Sequence, residues 1–267
     1  GNRNRKMEWD SPWGTGFPGW HVECTAMGCE YLGEQFDIHT GGVDHIPVHH
    51  TNELAQARGA FGDRHANWWL HGEFLELQDG KMSKSKGDFL RLESVEDSGY
   101  HPLDFRYLCL LTHYRKPLQF SWDALRSAQS ARLRIEDKLR SFKTSQEKEG
   151  TIVSSYLEQF QAAVYDDLNV SEGLAVLQDM IDSDADPADK VQTIECFDTV
   201  LGLGLRDVEP TNIPEAVRQL AEKRSSLREN EEYEEADRIR EDIRERGYAV
   251  EDGSDDFRIR PLRSQER

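Results

Sequence analysis

The spacing of apolar residues changes character at Trp122, which limits this chain to an α/β segment followed by an all-α one. Before that point, short apolar runs break at glycine turns. Phe36-Asp37-Ile38-His39 leads into Thr40-Gly41-Gly42, and Gly72-Glu73-Phe74-Leu75-Glu76-Leu77 reads as a strand. From Trp122, Leu125, Ala128, Ile135, Leu139 and Phe142 recur at helical spacing, with Arg132, Lys138 and Arg140 on other faces. Helices are predicted over 156–166 and 170–182. Another opens at Asp186-Pro187, where aspartate caps and proline fills the first turn, and Gly202 and Gly204 stop it. Its apolar face is Val191, Ile194, Phe197, Val200 and Leu201, so these helices can share the core of a bundle. Residues 206–214, with Pro210 and Pro214, read as a linker. Glu215 to Arg246 reads as charged helix, and Tyr248 to Arg260 as a hairpin turning at Glu251-Asp252-Gly253-Ser254. The expected divisions are 1–78, 79–121, 122–205 and 212–267.

The net charge of −18 excludes a protein that coats nucleic acid by bulk charge. A nucleic-acid partner would need local basic strips, and Arg132, Arg134, Lys138, Arg140 and Lys143 are one candidate, equally readable as a solvated helix face. No apolar run nears the ~20 residues of a spanning helix, and residues 1–10 hold no signal-like stretch. A cytoplasmic location without membrane contact is expected. Cys24, Cys29, Cys109 and Cys196 are too few and too scattered for a disulfide framework.

Two constellations could carry chemistry. In Lys81-Met82-Ser83-Lys84-Ser85, after the turn Gln78-Asp79-Gly80, small residues let a loop move while two ammonium groups hold the phosphates of ATP. A surface loop of lysine and serine is the plain alternative. His49 and Glu53 stand four apart, on one face of a helix, where imidazole and carboxylate can meet a single ion; Cys24 offers a thiolate. Such a set suits zinc, and a buried thiol beside a surface His-Glu pair is the competing reading. His50 is expected on a different side of that helix, and Cys29, Cys109 and Cys196 in the core.

Together with Pro12-Trp13-Gly14, Pro18-Gly19-Trp20-His21-Val22-Glu23-Cys24, Phe36-Asp37-Ile38-His39-Thr40-Gly41-Gly42 and His49-His50-Thr51-Asn52-Glu53, the lysine-serine loop resembles the cysteinyl-tRNA synthetases, zinc-dependent class I aminoacyl-tRNA synthetases. The likeness is dense from Trp13 to about Trp122 and looser to the C-terminus. Val48 and Thr51 depart from the commonest family wording, beside the ligands rather than at them.

The resemblance implies the second half of a Rossmann-like catalytic domain, a helical bundle and a small C-terminal anticodon-binding domain of helices and a hairpin. It implies Lys81 and Lys84 as catalytic, with Lys84, Ser83 and Ser85 on ATP and its magnesium (Mg2+). Cys24, His49 and Glu53 would hold zinc (Zn2+) with a cysteine far upstream, Trp20 and His39 would line the cysteine pocket, and Arg228, Tyr233 and Asp237 would read the anticodon of tRNA(Cys). Zinc has a chemical reason here: shape separates cysteine from serine poorly, whereas a metal favours the softer, more acidic thiol. A monomer is expected. The family's His-Ile-Gly-His motif does not occur in the sequence, so the first half of the catalytic domain is expected elsewhere and this chain alone is expected to be inactive. A ligase joining cysteine to an amino sugar, and a non-catalytic homologue that binds tRNA or an adenylate, remain alternatives; the anticodon-like region after residue 207 counts against the first.

Overall fold

The computed structural model describes residues 7–77, 91–146, 148–210, 213–230, 232–252 and 257–262; Lys81, Ser83, Lys84 and Ser85 lie outside them. Backbone contacts divide the chain into two units, one from residues 1–90 with 112–122 and one from 91–111 with 123–267.

The first unit opens with a hairpin of β1 (Trp9–Ser11) and β2 (Gly14–Gly16), then α1 (Trp20–Leu32) and β3 (Phe36–Gly42). A short 3-10 turn, Val43–His45, and a π-helical turn, Ile46–His50, lead into α2 (Thr51–Phe61). β4 (Ala66–Gly72) returns parallel to β3, pairing His39 with Trp69 and Gly41 with His71. A separate parallel pair joins β5 (Leu75–Leu77) to β6 (Leu118–Phe120). The strand-turn-helix order is that of an α/β unit, in which ligands gather where strands end and helices begin. Gly33 and Gly62 end α1 and α2 at positive φ, which glycine adopts without a Cβ clash.

The second unit is helical: α3 (Leu92–Asp97), α4 (Pro102–Leu110), α5 (Trp122–Ser145), α6 (Ser154–Tyr165), α7 (Val170–Asp182) and α8 (Pro187–Leu201). Leu125, Ala128, Ile135 and Leu139 form the buried stripe of α5. Phe160 of α6 stacks on Phe197 of α8 at 4.2 Å, with Gly173 of α7 allowing a close approach. Asp186 caps α8 by accepting the Ala188 amide at 2.9 Å, and Asp198 closes its end by accepting the Leu203 and Leu205 amides at 2.7 and 2.8 Å. Val200, expected on the buried face, is exposed. Beyond the linker, α9 (Glu215–Glu229) and α10 (Tyr233–Glu245) pack on a hairpin of β7 (Tyr248–Asp252) and β8 (Phe257–Pro261) around Val217, Ala221, Ile239, Ile243 and Val250.

One expectation fails here. Arg132 does not belong to a phosphate-facing strip: it is 5% exposed, donates from Nε to Asp104 Oδ1 at 2.7 Å, and pairs with Glu136. Arg140 pairs with Asp137 at 2.8 Å and Lys143 with Glu195 at 2.8 Å. Helical spacing puts a charge on a face but does not say which neighbouring helix answers it.

Candidate metal centre

Proline and glycine at positions 18 and 19 hold the chain extended until Trp20 starts α1, so Trp20 and Cys24, four apart, share one face. Thr25 donates to Gln56 Oε1 at 2.7 Å, tying that face to α2. The π-helical turn then carries His49 to His21 of α1 and His50 to His71 of β4; such turns are frequent at functional sites. Cys24, His49 and Glu53 come together, with one ligand atom from each lying within 4.8 Å of the others.

Glu53 is the anomaly that defines the centre. Its side chain has no solvent exposure, and neither carboxylate oxygen accepts a hydrogen bond. The nearest groups are imidazoles: His39 Nε2 at 3.1 Å from Oε2, His50 Nε2 at 3.9 Å from the same oxygen, and His49 Nε2 at 3.8 Å from Oε1. Burial pushes the Glu53 carboxyl up to about 7. Burial, reinforced by neighbouring imidazoles, holds His39 and His49 below the usual histidine range and brings His50 down to about 4. The Cys24 thiol is raised by burial and then by the Glu53 and Glu23 charges. Without a cation the pocket disfavours every charge its residues could carry, and a divalent ion reverses that for thiol and carboxyl alike. The donor set therefore fits zinc.

The aromatic surroundings orient these donors. The Trp20 indole stacks on the His49 ring at 3.5 Å with an interplanar angle of 5°, and His49 Nδ1 shares a hydrogen bond of 2.6 Å with His21 Nδ1. That leaves Nε2 of His49 toward Glu53. His39, on β3, lies 4.5 Å from the Trp69 ring and 4.7 Å from His50.

His50 does not face away from the pair. It is three residues before Glu53, a spacing that also meets on a helix face, and its Nδ1 is bonded to His71 Nε2 at 2.8 Å. His21, His45 and His71 likewise gained no role from the sequence. The missing side chain of Gly41 makes room for His45 and His50: a Cβ there would lie 2.5 Å from His50 Cε1 and 2.7 Å from His45 Nδ1. Cys29, Cys109 and Cys196 are half-buried rather than core, and none joins a metal-capable group among the described residues.

A family model of the class I (C) tRNA synthetase catalytic domain matches residues 1–130. Cysteine–tRNA ligase 1 of Burkholderia lata is 48% identical over 96% of this chain and 54% of the relative. The cysteine–tRNA ligases of Novosphingobium aromaticivorans and Treponema denticola are 40% and 39% identical, each over 93% of this chain and over 55% and 57% of their own lengths. The chain belongs to the cysteinyl-tRNA synthetase family. It spans about half the length of the curated relatives it matches. In fold it is similar to the Agrobacterium radiobacter K84 AgnB2 LeuRS, solved as a ternary complex with tRNA and LeuAMS: TM-score 0.52, 14% identity, 78% of this chain and 34% of that one.

Of the remaining residues singled out for this family, Arg228 lies near the end of α9, 3.7 Å from Asp252 Oδ2, and Tyr233, 55% exposed, begins α10. Asp237 lines a cavity of about 620 Å³ with Arg240, Arg244, Tyr248 and Arg260. Sequence reasoning missed Arg224, fully buried and bidentate to Asp252 at 2.7 and 2.9 Å, which ties α9 to β7. Among the described residues no helix is long and apolar enough to cross a membrane.

Proposed function

We propose that this chain carries the zinc-bearing part of the cysteine pocket and the tRNA-facing region of a cysteine–tRNA ligase, which activates cysteine with ATP and transfers it to the 3′ end of tRNA(Cys). The observation that carries the reading is the buried Glu53 carboxylate, without a hydrogen-bond partner, set among a thiol and imidazoles. Cys24, His49 and Glu53 would hold the ion, and zinc supplies a soft Lewis-acid position that prefers a thiolate to a hydroxyl. Trp20 keeps the His49 ring in its plane and, with His39, walls the pocket against water. His21 fixes which ring nitrogen of His49 is presented.

Lys81 and Lys84 are proposed to hold the ATP phosphates as negative charge builds, with Ser83 and Ser85 lending hydroxyls and Mg2+ on the phosphates. These roles rest on the sequence. Activation of cysteine, read as ATP–pyrophosphate exchange, is expected of the longer relatives and not of this segment alone. On the same reading the domain limits are those of a second catalytic half, a helical bundle and an anticodon-binding domain, in a cytoplasmic monomer.

Calorimetric titration tests the pocket. The zinc-loaded chain is expected to bind cysteine at least about 100-fold more tightly than serine, because metal–thiolate ligation adds to what shape alone can discriminate. Equal affinities would remove the thiol-ligating role.

The RNA half of the reading rests on Tyr233, an exposed ring able to stack on an unpaired base, and on Asp237, able to accept hydrogen bonds from a guanine edge. Filter binding to tRNA(Cys) is expected to weaken for Tyr233→Ala by about 1–3 kcal/mol, the worth of one base–aromatic stack. Equal affinity for tRNA with an altered anticodon would strike Arg228, Tyr233 and Asp237 from the recognition set.

A further inference from the structure

Six basic side chains lie along α5, and the carboxylates around them divide the set. Arg126 pairs with Asp123, Arg132 with Asp104 and Glu136, Arg140 with Asp137, and Lys143 with Glu195. Arg134 and Lys138 have no carboxylate partner among the described residues. They stand four apart, on one face of the helix, and both line a cavity of about 440 Å³ walled by α4, α5 and α7. No carboxylate is among the described residues that line it. In a chain of net charge −18, two neighbouring cations left unanswered make a local positive spot against an acidic background.

We infer that this cavity is a phosphate site for the RNA: Arg134 and Lys138 hold one backbone phosphate and the Tyr107 hydroxyl donates to it, a contact that positions the RNA and reads no base. Arginine, lysine and tyrosine are side chains that commonly meet phosphate oxygens, and the flat guanidinium of Arg134 suits their geometry. Tyr107 is 7% exposed, and its hydroxyl has no hydrogen-bond partner among the described residues. Burial pushes that hydroxyl up while the Arg134 charge pulls the other way, so at neutral pH it keeps its proton and is a donor. Beneath the charges the lining is apolar, from the buried Ile135 and Ile181, which lowers the local dielectric and strengthens each polar contact made there. The inference rests on the tRNA reading above and adds a contact on helices other than α9 and α10, which carry Arg228, Tyr233 and Asp237.

Filter binding of the full chain to tRNA(Cys), repeated from about 50 to 200 mM salt, tests the site, because the slope of log affinity against log salt counts the phosphates neutralised. Arg134→Gln and Lys138→Gln are each expected to weaken binding and to lower that slope by about 1, with the same loss for tRNA whose anticodon is altered. Tyr107→Phe is expected to weaken binding by about 10-fold at unchanged slope, since it removes a donor and no charge. Arg126→Gln makes the same change in net charge on the same helix and is expected to keep the wild-type slope. Thermal melts are expected to show all four variants folded. Wild-type slopes for Arg134→Gln and Lys138→Gln, or an equal drop for Arg126→Gln, overturn the site. Calorimetric binding of inorganic phosphate that needs Arg134, beside tRNA binding that does not, would give the cavity to a small phosphate compound and overturn the RNA contact. Absence of tRNA binding by the wild type sinks the tRNA reading and this contact with it, whereas binding with unchanged slopes sinks the contact alone.

Discussion

Glu53→Gln is expected to move two properties in opposite directions: metal affinity falls by at least about 100-fold, and the metal-free chain becomes more stable at neutral pH. The first follows from losing a ligand where an outer partner alone is worth 10–100-fold. The second follows from linkage. The folded state raises the carboxyl from its ordinary 4.5 to about 7, so it favours the protonated form. Stability of the metal-free chain therefore falls as pH rises from about 4.5 to about 7 and is level above that, the gap being worth up to about 3 kcal/mol. Glutamine removes the charge but keeps a buried amide, so its gain is smaller than that limit. The neighbouring imidazoles work in the opposite sense. His39, His49 and His50 are held below 6.5, so they cost stability as pH falls through that value. Thermal melts of the metal-free wild type and Glu53→Gln from pH 4.5 to 8 isolate the carboxylate. Parallel curves would mean that Glu53 is not the strained group described above.

Arg132→Leu is expected to destabilise the helical unit by about 3–5 kcal/mol in urea denaturation, the cost of leaving a buried charge unpaired. Asp104 has no solvent exposure and spends its second oxygen on the His101 amide and Gln129, at 2.9 and 3.0 Å. Without Arg132 its first oxygen has nothing to meet. A loss below about 1 kcal/mol would instead put this pair among surface ion pairs, which contribute little. The same substitution bears on the RNA reading, since a side chain already spent on Asp104 and Glu136 leaves phosphate contacts to other residues.

What the sequence made legible was whatever depends on neighbours along the chain. The helix over 170–182, the Asp186 cap and the Gly202 stop all rest on local spacing and backbone preference, and the structure has each of them; the glycine turn expected at 40–42 is instead the end of β3, and of the strand expected over 72–77 only Leu75–Leu77 forms β5, Gly72 closing β4. The pairing of His49 with Glu53 was legible for the same reason. What escaped depends on the register between elements. His71 reaches His50 because β4 pairs with β3 so that His71 lies beside Gly41, and nothing in the segment around His71 encodes that. His50 was misplaced because a helical wheel centred on the His49–Glu53 pair neglects the three-residue neighbour, and the π-helical turn before α2 is not visible in periodicity. Arg132 was misassigned because its partner comes from α4, 28 positions away.

X-ray absorption at the zinc edge, on the chain loaded with one equivalent of zinc, tests most directly whether this pocket holds its substrate by sulfur. Addition of cysteine is expected to add a sulfur neighbour beside that of Cys24, while serine leaves the sulfur count unchanged. A spectrum indifferent to cysteine, or one that lacks sulfur before cysteine is added, would contradict the assignment of Cys24, His49 and Glu53 as the thiol-selecting centre.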